Sequence, residues 1–357
     1  MDKDILYYLG FSHFLGIGPM KMAKIMERFG SAKKSYWSNI NELSEIIGKR
    51  LSDEFAAFRD VFDPVKTIDS YRKRGIVVVS CKSRDYPASL KNIPDPPICL
   101  YVKGELKQAN FFSIVGTRTP SRYGDKITRK ISYDLARAGL AIVSGMALGI
   151  DAIAHQAAID AEAYTVAVLG CGVDVVYPAM HLWLYRKIIA TGGAIVSEFP
   201  PGSATLKGMF ISRNRIISGM SRGVLVIEGG RRSGTLVTAR YAAEQGKDMF
   251  AVPGMIDVES ASAPNLLIKQ GAQVVTNVED ILSQYKLKPA KRTGNDMELS
   301  ESEKLIIDFI RREPVSIQDL VILLNQPADN VLNAMTFLEF KGLVEKNKEN
   351  KYQVKPY

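Results

Sequence analysis

The sequence predicts an α/β chain built on a doubly wound, mainly parallel sheet, with a small helical domain before it and a second small domain after it. Two observations predict the sheet. Between Thr67 and about Tyr285, short β-branched apolar runs alternate with helical segments, the texture of strands buried on both faces by covering helices. Glycines follow those runs, at Gly116, Gly145, Gly170 with Gly172, and Gly229 with Gly230. The turns therefore fall at the carboxyl ends of strands, where open α/β sheets bind ligands. A third observation is length: 357 residues suit two or three domains, here expected over 1–66, 67–285 and 298–357, with a linker at 286–297.

Residues 4 to about 63 read as short-looped helices. In FLGIGPMKMAKIMERFGS, Gly16 and Gly18 flank Ile17 before the amphipathic run Met22, Ile25, Met26, Phe29. The pattern resembles a helix-hairpin-helix, whose glycine turn brings backbone amides to a phosphate without reading a base. A degenerate second copy surrounds Gly48, and plain packing accounts for the same glycines equally well. The strands follow at 76–79, 99–102, 112–115, 141–143, 166–169, 194–196, 224–227 and 249–252. KLKPAKRTGND, with Pro289 and Gly294, reads as the linker. Beyond it, Ser300 with Glu303 forms a capping box, Ser316 opens a second helix, and a third runs from about Ala328 to Lys341, ended by Gly342. A closing hairpin completes the pattern of a winged helix. Its third helix carries Asp329 and Glu339, a poor surface for phosphates, so protein contact or packing suits it better than groove reading; Lys346, Lys348 and Lys351 keep DNA contact open.

The chemistry concentrates in Lys207 to Gly254. Ser212 reads as the N-cap of a helix starting at Arg213, and the turn Gly229 to Thr235, including Gly234, leads into another helix. Helix N-termini and arginines together favour phosphate. Arg213 shares a face with Ile216, Ile217 and Met220, and Arg215 with Ser218 and Gly219; Lys207 and Phe210 fall just before that helix, as a phosphate contact and a ring for stacking a base. Residues 201–250 hold eight Lys or Arg, Lys247 among them, against three acids, which gathers much of the chain's charge of +9 in one stretch. Arg118, two residues past Gly116, can point into the same crevice.

Other chemistries lose ground. No G-x-G-x-x-G follows a strand, and GGRRSGTL lacks the Walker lysine, so dinucleotide redox chemistry and ATP hydrolysis are disfavoured. His155 lies on a small-residue helical face without an acid partner and reads as a core or surface histidine. Cys171, between two glycines, has no local base and reads as a small residue in a tight turn. The three cysteines lack metal-ligand or disulfide spacing, and no apolar run approaches a bilayer-spanning length, so a soluble cytoplasmic protein without cofactor or metal is expected.

IVGTRTPSRYG, SGMALGIDAIAH, VAVLGCGVDVVYP, GGAIVSEFPPG, FISRNRIISGMSRGVLVIEGGRRSGTLVTA and GKDMFAVPG together resemble the DNA processing protein A (Smf) family over about residues 70–280. The resemblance implies an extended Rossmann fold that binds single-stranded DNA without an enzymatic step, dimerises, and helps load RecA recombinase during natural transformation. It places the DNA-binding positions on Arg118, Lys207, Phe210, Arg213, Asn214, Arg215 and Lys247, with Gly116, Gly145, Gly170 and Gly234 in the supporting turns. An enzyme is the alternative: the EGGRRSGT turn resembles the PGGxGT loop of nucleoside-monophosphate phosphoribohydrolases, but Thr238 stands where their glutamate acts. A duplex-DNA regulator working through the winged helix is the third reading.

Overall fold

The computed structural model describes residues 4–231, 233–289, 300–340, 343–347 and 349–354. They fall into two compact units, Met1–Ala290 and Lys291–Tyr357. Most of the expected linker, from residue 290 onward, lies outside the described residues.

The first unit opens with α1 (Ile5–His13), α2 (Pro19–Phe29), α3 (Ala32–Tyr36), α4 (Ile40–Ile47), α5 (Lys49–Val61) and α6 (Pro64–Lys73). Local chemistry explains their ends. Pro19 fits the first position of α2, where a backbone N–H would go unused, and Gly30 closes the same helix at φ 74°. Asp63 caps α6 by accepting from the amides of Val65 and Lys66 at 3.0 Å each. Helix α6 runs through the expected boundary at 66/67, and the apolar core is continuous across it. Leu9, Phe11, Ile25, Phe55 and Tyr71 share one buried cluster with Tyr101, Leu184 and Ile195. Polar contacts stitch the same seam: Ser12 Oγ lies 2.6 Å from the Tyr101 hydroxyl, and His13 Nε2 lies 2.8 Å from that of Tyr71.

The α/β part then alternates β1 (Val77–Ser80), α7 (Ala88–Lys91), β2 (Cys99–Gly104), β3 (Phe111–Val115), α8 (Arg122–Arg137), β4 (Ala141–Ser144), α9 (Ile150–Asp160), β5 (Thr165–Val168) and α10 (Leu182–Ala190). It continues with β6 (Ala194–Ser197), α11 (Lys207–Met220), β7 (Gly223–Val226), α12 (Gly234–Glu244), β8 (Asp248–Ala251), α13 (Ser262–Lys269), β9 (Gln273–Val274) and α14 (Glu279–Gln284). All eight expected strands are present. Among the described residues they form a nine-stranded sheet in the order β1-β2-β6-β5-β4-β3-β7-β8-β9. From β6 to β9 every pairing is parallel, while β1–β2 and β2–β6 are antiparallel. Helices cover both faces. Ile216, Ile217 and Met220 of α11 pack with Ala239 and Ala242 of α12 on one side, and Ile131, Leu135, Ile150 and Ala154 of α8 and α9 pack on the other. No described helix is long and apolar enough to cross a membrane.

The second unit contains α15 (Glu301–Arg312), α16 (Ile317–Leu324), α17 (Ala328–Phe340) and the antiparallel hairpin β10 (Val344–Lys346) with β11 (Tyr352–Val354). The starts of α15 and α16 are capping boxes, Ser300 with Glu303 and Ser316 with Asp319. Ile306, Leu320, Val331, Met335, Leu338 and Tyr352 form its core. Lys346 sets its ammonium 5.1 Å from the centre of the Tyr352 ring. Lys341, Gly342 and Lys348 lie outside the described residues.

Candidate nucleic-acid interface

Helix α11 begins six residues earlier than its sequence suggests. Leu206 occupies the N-cap without a side-chain cap, and Ser212 lies inside the helix with its hydroxyl donating to Met209 O at 3.1 Å. No proline lies between Lys207 and Ser212, and Gly208 in the first turn costs only about 1 kcal/mol relative to alanine, so the backbone bonds win over a cap at Ser212. The consequence is geometric. Lys207 and Phe210 belong to the helix, and at 100° per residue Lys207, Phe210, Arg213 and Asn214 fall on one side of it while Arg215 falls well away. The first turn carries Lys207 and no acid, and no side chain caps it, so its dipole is uncompensated although Met209 N bonds Leu206 O at 3.0 Å.

One crevice joins elements distant in sequence. Arg118, Gly145, Ala147, Leu148, Tyr177, Pro178, Phe210 and Arg213 line it. Arg118 is exposed and forms no ion pair with any described residue. Phe210 is half-buried, its ring 5.1 Å from that of Tyr177. Arg213 is only 5% exposed. Its Nη1 donates to Gly145 O at 2.8 Å and to Val168 O, the ends of β4 and β5. Burial pulls the Arg213 pKa down and pushes the Asp151 carboxyl up, the two charges opposing those shifts in each other. Asp151 Oδ2 in turn accepts from Gly145 N at 3.1 Å, bracing the turn that holds Met146 at φ 54°. The strand-end glycines make room for side chains: a Cβ on Gly145 would sit 2.5 Å from the Arg213 guanidinium, one on Gly170 2.8 Å from the Phe210 ring, and one on Gly116 2.5 Å from Ile150.

The turn bearing Arg118 is pinned from three sides. Thr117 N donates to Glu228 O at 2.8 Å, Ile150 N donates to Thr117 O at 3.2 Å, and the buried Glu228 carboxylate accepts from Ser121 N at 2.9 Å. Gly149 permits the close approach, since a Cβ there would strike the carbonyls of Thr117 and Arg118. A cation is thereby delivered from a rigid strand end.

Other expected residues stand elsewhere. Arg215 is buried between Asp95, at 2.9 Å, and Glu198, at 2.6 Å, so its charge is met within the chain. Lys247 donates to Gly219 O at 3.2 Å at the far end of α11, about 18 Å along the axis from Lys207. Asn214 reaches toward the start of α12, 3.4 Å from Gly234 O. Helix α12 thus begins about two turns along α11, away from the N-terminus of α11. In the glycine-rich turn, Glu259 already accepts from Arg231 N at 3.3 Å; Arg232 lies outside the described residues.

His155 is a core histidine, with Nδ1 2.7 Å from Thr165 Oγ1. Cys171 is buried and donates to Val175 O; burial pushes its thiol up to about 11, far from a nucleophile's range. Thr238 is buried within α12. Among the described residues, no group of three or more His, Cys, Asp or Glu side chains could hold a metal. Sequence reasoning missed Tyr177, Asp151 and Glu228. Asp151 had a signal, an acid in the first turn of a helix after a glycine turn, whereas Tyr177 sits in an irregular loop with no periodicity to expose it.

Comparison with known proteins agrees with this architecture. A family model described as DNA recombination-mediator protein A matches residues 77–286. Protein Smf of Synechocystis is 31% identical across 99% of both chains. DNA processing protein DprA of Bacillus subtilis is 40% identical over 61% of this chain and 74% of its own. The X-ray structure of DNA processing protein A from Streptococcus pneumoniae aligns with a TM-score of 0.68 at 33% identity, covering 78% of this chain and 96% of that one. DNA processing protein A from Helicobacter pylori, whose structure concerns its single-stranded DNA binding mode, aligns with a TM-score of 0.53 at 30% identity over 59% and 95%. With a family match over more than half its length and a full-length relative, the chain belongs to the DNA recombination-mediator protein A family.

Proposed function

We propose that the crevice binds single-stranded DNA without reading its sequence. Arg118 and Lys207 contact phosphates, the first turn of α11 offers its amides to the same anions, and Phe210 stacks a base. Arg213 serves chiefly to fix the wall, joining the ends of β4 and β5, while Arg215 and Lys247 support α11. The observation that carries this reading is the pairing of an exposed, uncompensated Arg118 on a pinned turn with the Phe210 ring across one crevice. The relative from Helicobacter pylori, whose structure concerns its single-stranded DNA binding mode, adds support.

Protection of incoming DNA, homodimerisation and loading of RecA recombinase onto the bound strand during natural transformation belong to the same reading. So do a cytoplasmic location and the absence of a catalytic step. Homodimerisation is supported by the open edge at β9 and by exposed Met255 and Ile256, apolar surface that a partner copy would cover. The three helices and hairpin of the second unit have the element order of a winged helix.

Filter binding of labelled single strands across a salt series tests the site. Affinity should fall steeply with salt, and the Arg118→Ala/Lys207→Ala double variant should bind weakly with a slope shallower by about two units. Equal binding by that variant would remove the crevice from the reading. Release of free base from nucleoside monophosphates would favour the phosphoribohydrolase alternative.

A further inference from the structure

From Tyr177, in the lining of the crevice, a run of exposed side chains leads outward that the crevice reading does not use. Tyr177 is 43% exposed and in ring contact with Phe210. From Tyr177 a single short turn carries the chain to α10, with His181 N bonded to Pro178 O at 2.9 Å and His181 Nδ1 2.9 Å from Met146 O, beside the crevice wall. The first residues of α10 then present Trp183, 51% exposed, with Met180 just before them at 66%. Trp183 is held against His181, ring centres 6.4 Å apart, so its orientation is fixed on one side. Arg186 follows three residues later on the same helical face, exposed and without an ion pair to any described residue.

Large rings left half in water beside a free guanidinium are costly as mere surface. Interleaved rings and cations are the chemistry that holds single-stranded nucleic acid: any base offers a π-face to an aromatic ring, and each phosphate offers a charge to an arginine. A folded protein partner would need no such alternation and no continuity with a phosphate-binding crevice.

Resting on the crevice reading, we propose that Tyr177, Trp183 and Arg186 form a second contact for the same strand, so that DNA leaving Phe210 continues across the start of α10. Tyr177 widens the stacking surface at Phe210, Trp183 receives a further base, and Arg186 meets an intervening phosphate. The consequence is a length threshold. Strands that fill only the crevice ignore α10, and longer ones gain affinity from it.

Tryptophan emission tests this, because the chain has only two tryptophans. In full-length protein carrying Trp37→Phe, Trp183 is the sole reporter. Oligothymidylates of increasing length, from about 4 to about 16 nucleotides, span the usual range of such sites. Long strands should quench Trp183 and short ones should not. Trp183→Ala and Arg186→Ala should each weaken binding of the long strand about fivefold or more while leaving the shortest unchanged, and Arg186→Ala should lower the salt slope by about one unit. Both side chains are exposed, so these variants are expected to fold, and the quenching measurement needs neither. Filter binding on the same samples separates the outcomes. Long strands that bind without quenching Trp183, and with full affinity in both variants, would overturn the second contact alone and leave the face to a protein partner. Absence of any strand binding would overturn the crevice reading with it.

Discussion

His155 lies fully buried in α9 beside Thr165 Oγ1 at the start of β5, and burial pulls its imidazole down to about 3. His13, in the seam between α1 and α6, is lowered for the same reason. The sign follows directly. Near neutral pH both folded and unfolded chains carry neutral imidazoles; below about 6.5 the unfolded chain takes up protons that the folded chain refuses, so stability falls with pH down toward 3. Between pH 7 and pH 5, unfolding free energy from urea titration should drop by about 2 kcal/mol on account of His155. His155→Gln should flatten that slope, leaving the share due to His13; an unaltered slope would assign the acid sensitivity to other groups. The burial of His155 was only half legible in sequence, because its small-residue neighbours suited core and surface alike. The role of Gly145 and Gly170 was legible as close approach, but what approaches is a side chain of α11, a contact across forty residues or more that no local pattern encodes.

Sequence pattern and structure differ most at α11. A serine before a run of apolar residues is a sound N-cap signal, yet the helix starts at Lys207, with an extended Leu206 as its N-cap, because Gly208 is too weak a breaker to delay it. Stability measurements separate the two serines concerned. Ser233 caps α12 by accepting from Thr235 N at 3.0 Å, so Ser233→Ala should cost about 1 kcal/mol. Ser212→Ala should stay within about 0.5 kcal/mol. A loss at Ser212 equal to that at Ser233 would restore the shorter helix. The strands, by contrast, were legible almost throughout, since a parallel strand covered on both faces must be a continuous apolar run. Strand β9 was not, being two exposed residues. The antiparallel edge formed by β1, β2 and β6 was invisible because strand direction is set by pairing over long sequence separations.

For the whole molecule, the shared core matters most. The sequence suggests a separate helical domain over 1–66, whereas the apolar residues of α1 to α6 pack with Tyr101, Leu184 and Ile195 under the sheet. A chain beginning at Thr67 should therefore melt at least about 10 °C below the full-length protein by calorimetry, the equivalent of several kcal/mol of uncovered apolar surface. An unchanged melting temperature would show that the sheet needs no such cover. The excess of basic residues across 201–250 was plain in the sequence, but its meaning was not. The fold spends Arg215 and Lys247 on the chain itself and leaves Arg118 and Lys207 open, a division that depends on which carboxylates and carbonyls lie opposite each one.

The pinned turn of Arg118 also bears on timing. Because Glu228 and Ile150 hold it in place by backbone and carboxylate bonds, the proposed capture of a strand would require no loop to close first. Encounter itself then sets the association rate, which long-range attraction accelerates and added salt slows, while dissociation reflects the rings and short-range contacts. On the proposed strand binding, a protein so arranged would seize strands quickly at low ionic strength and release them at a pace governed by stacking.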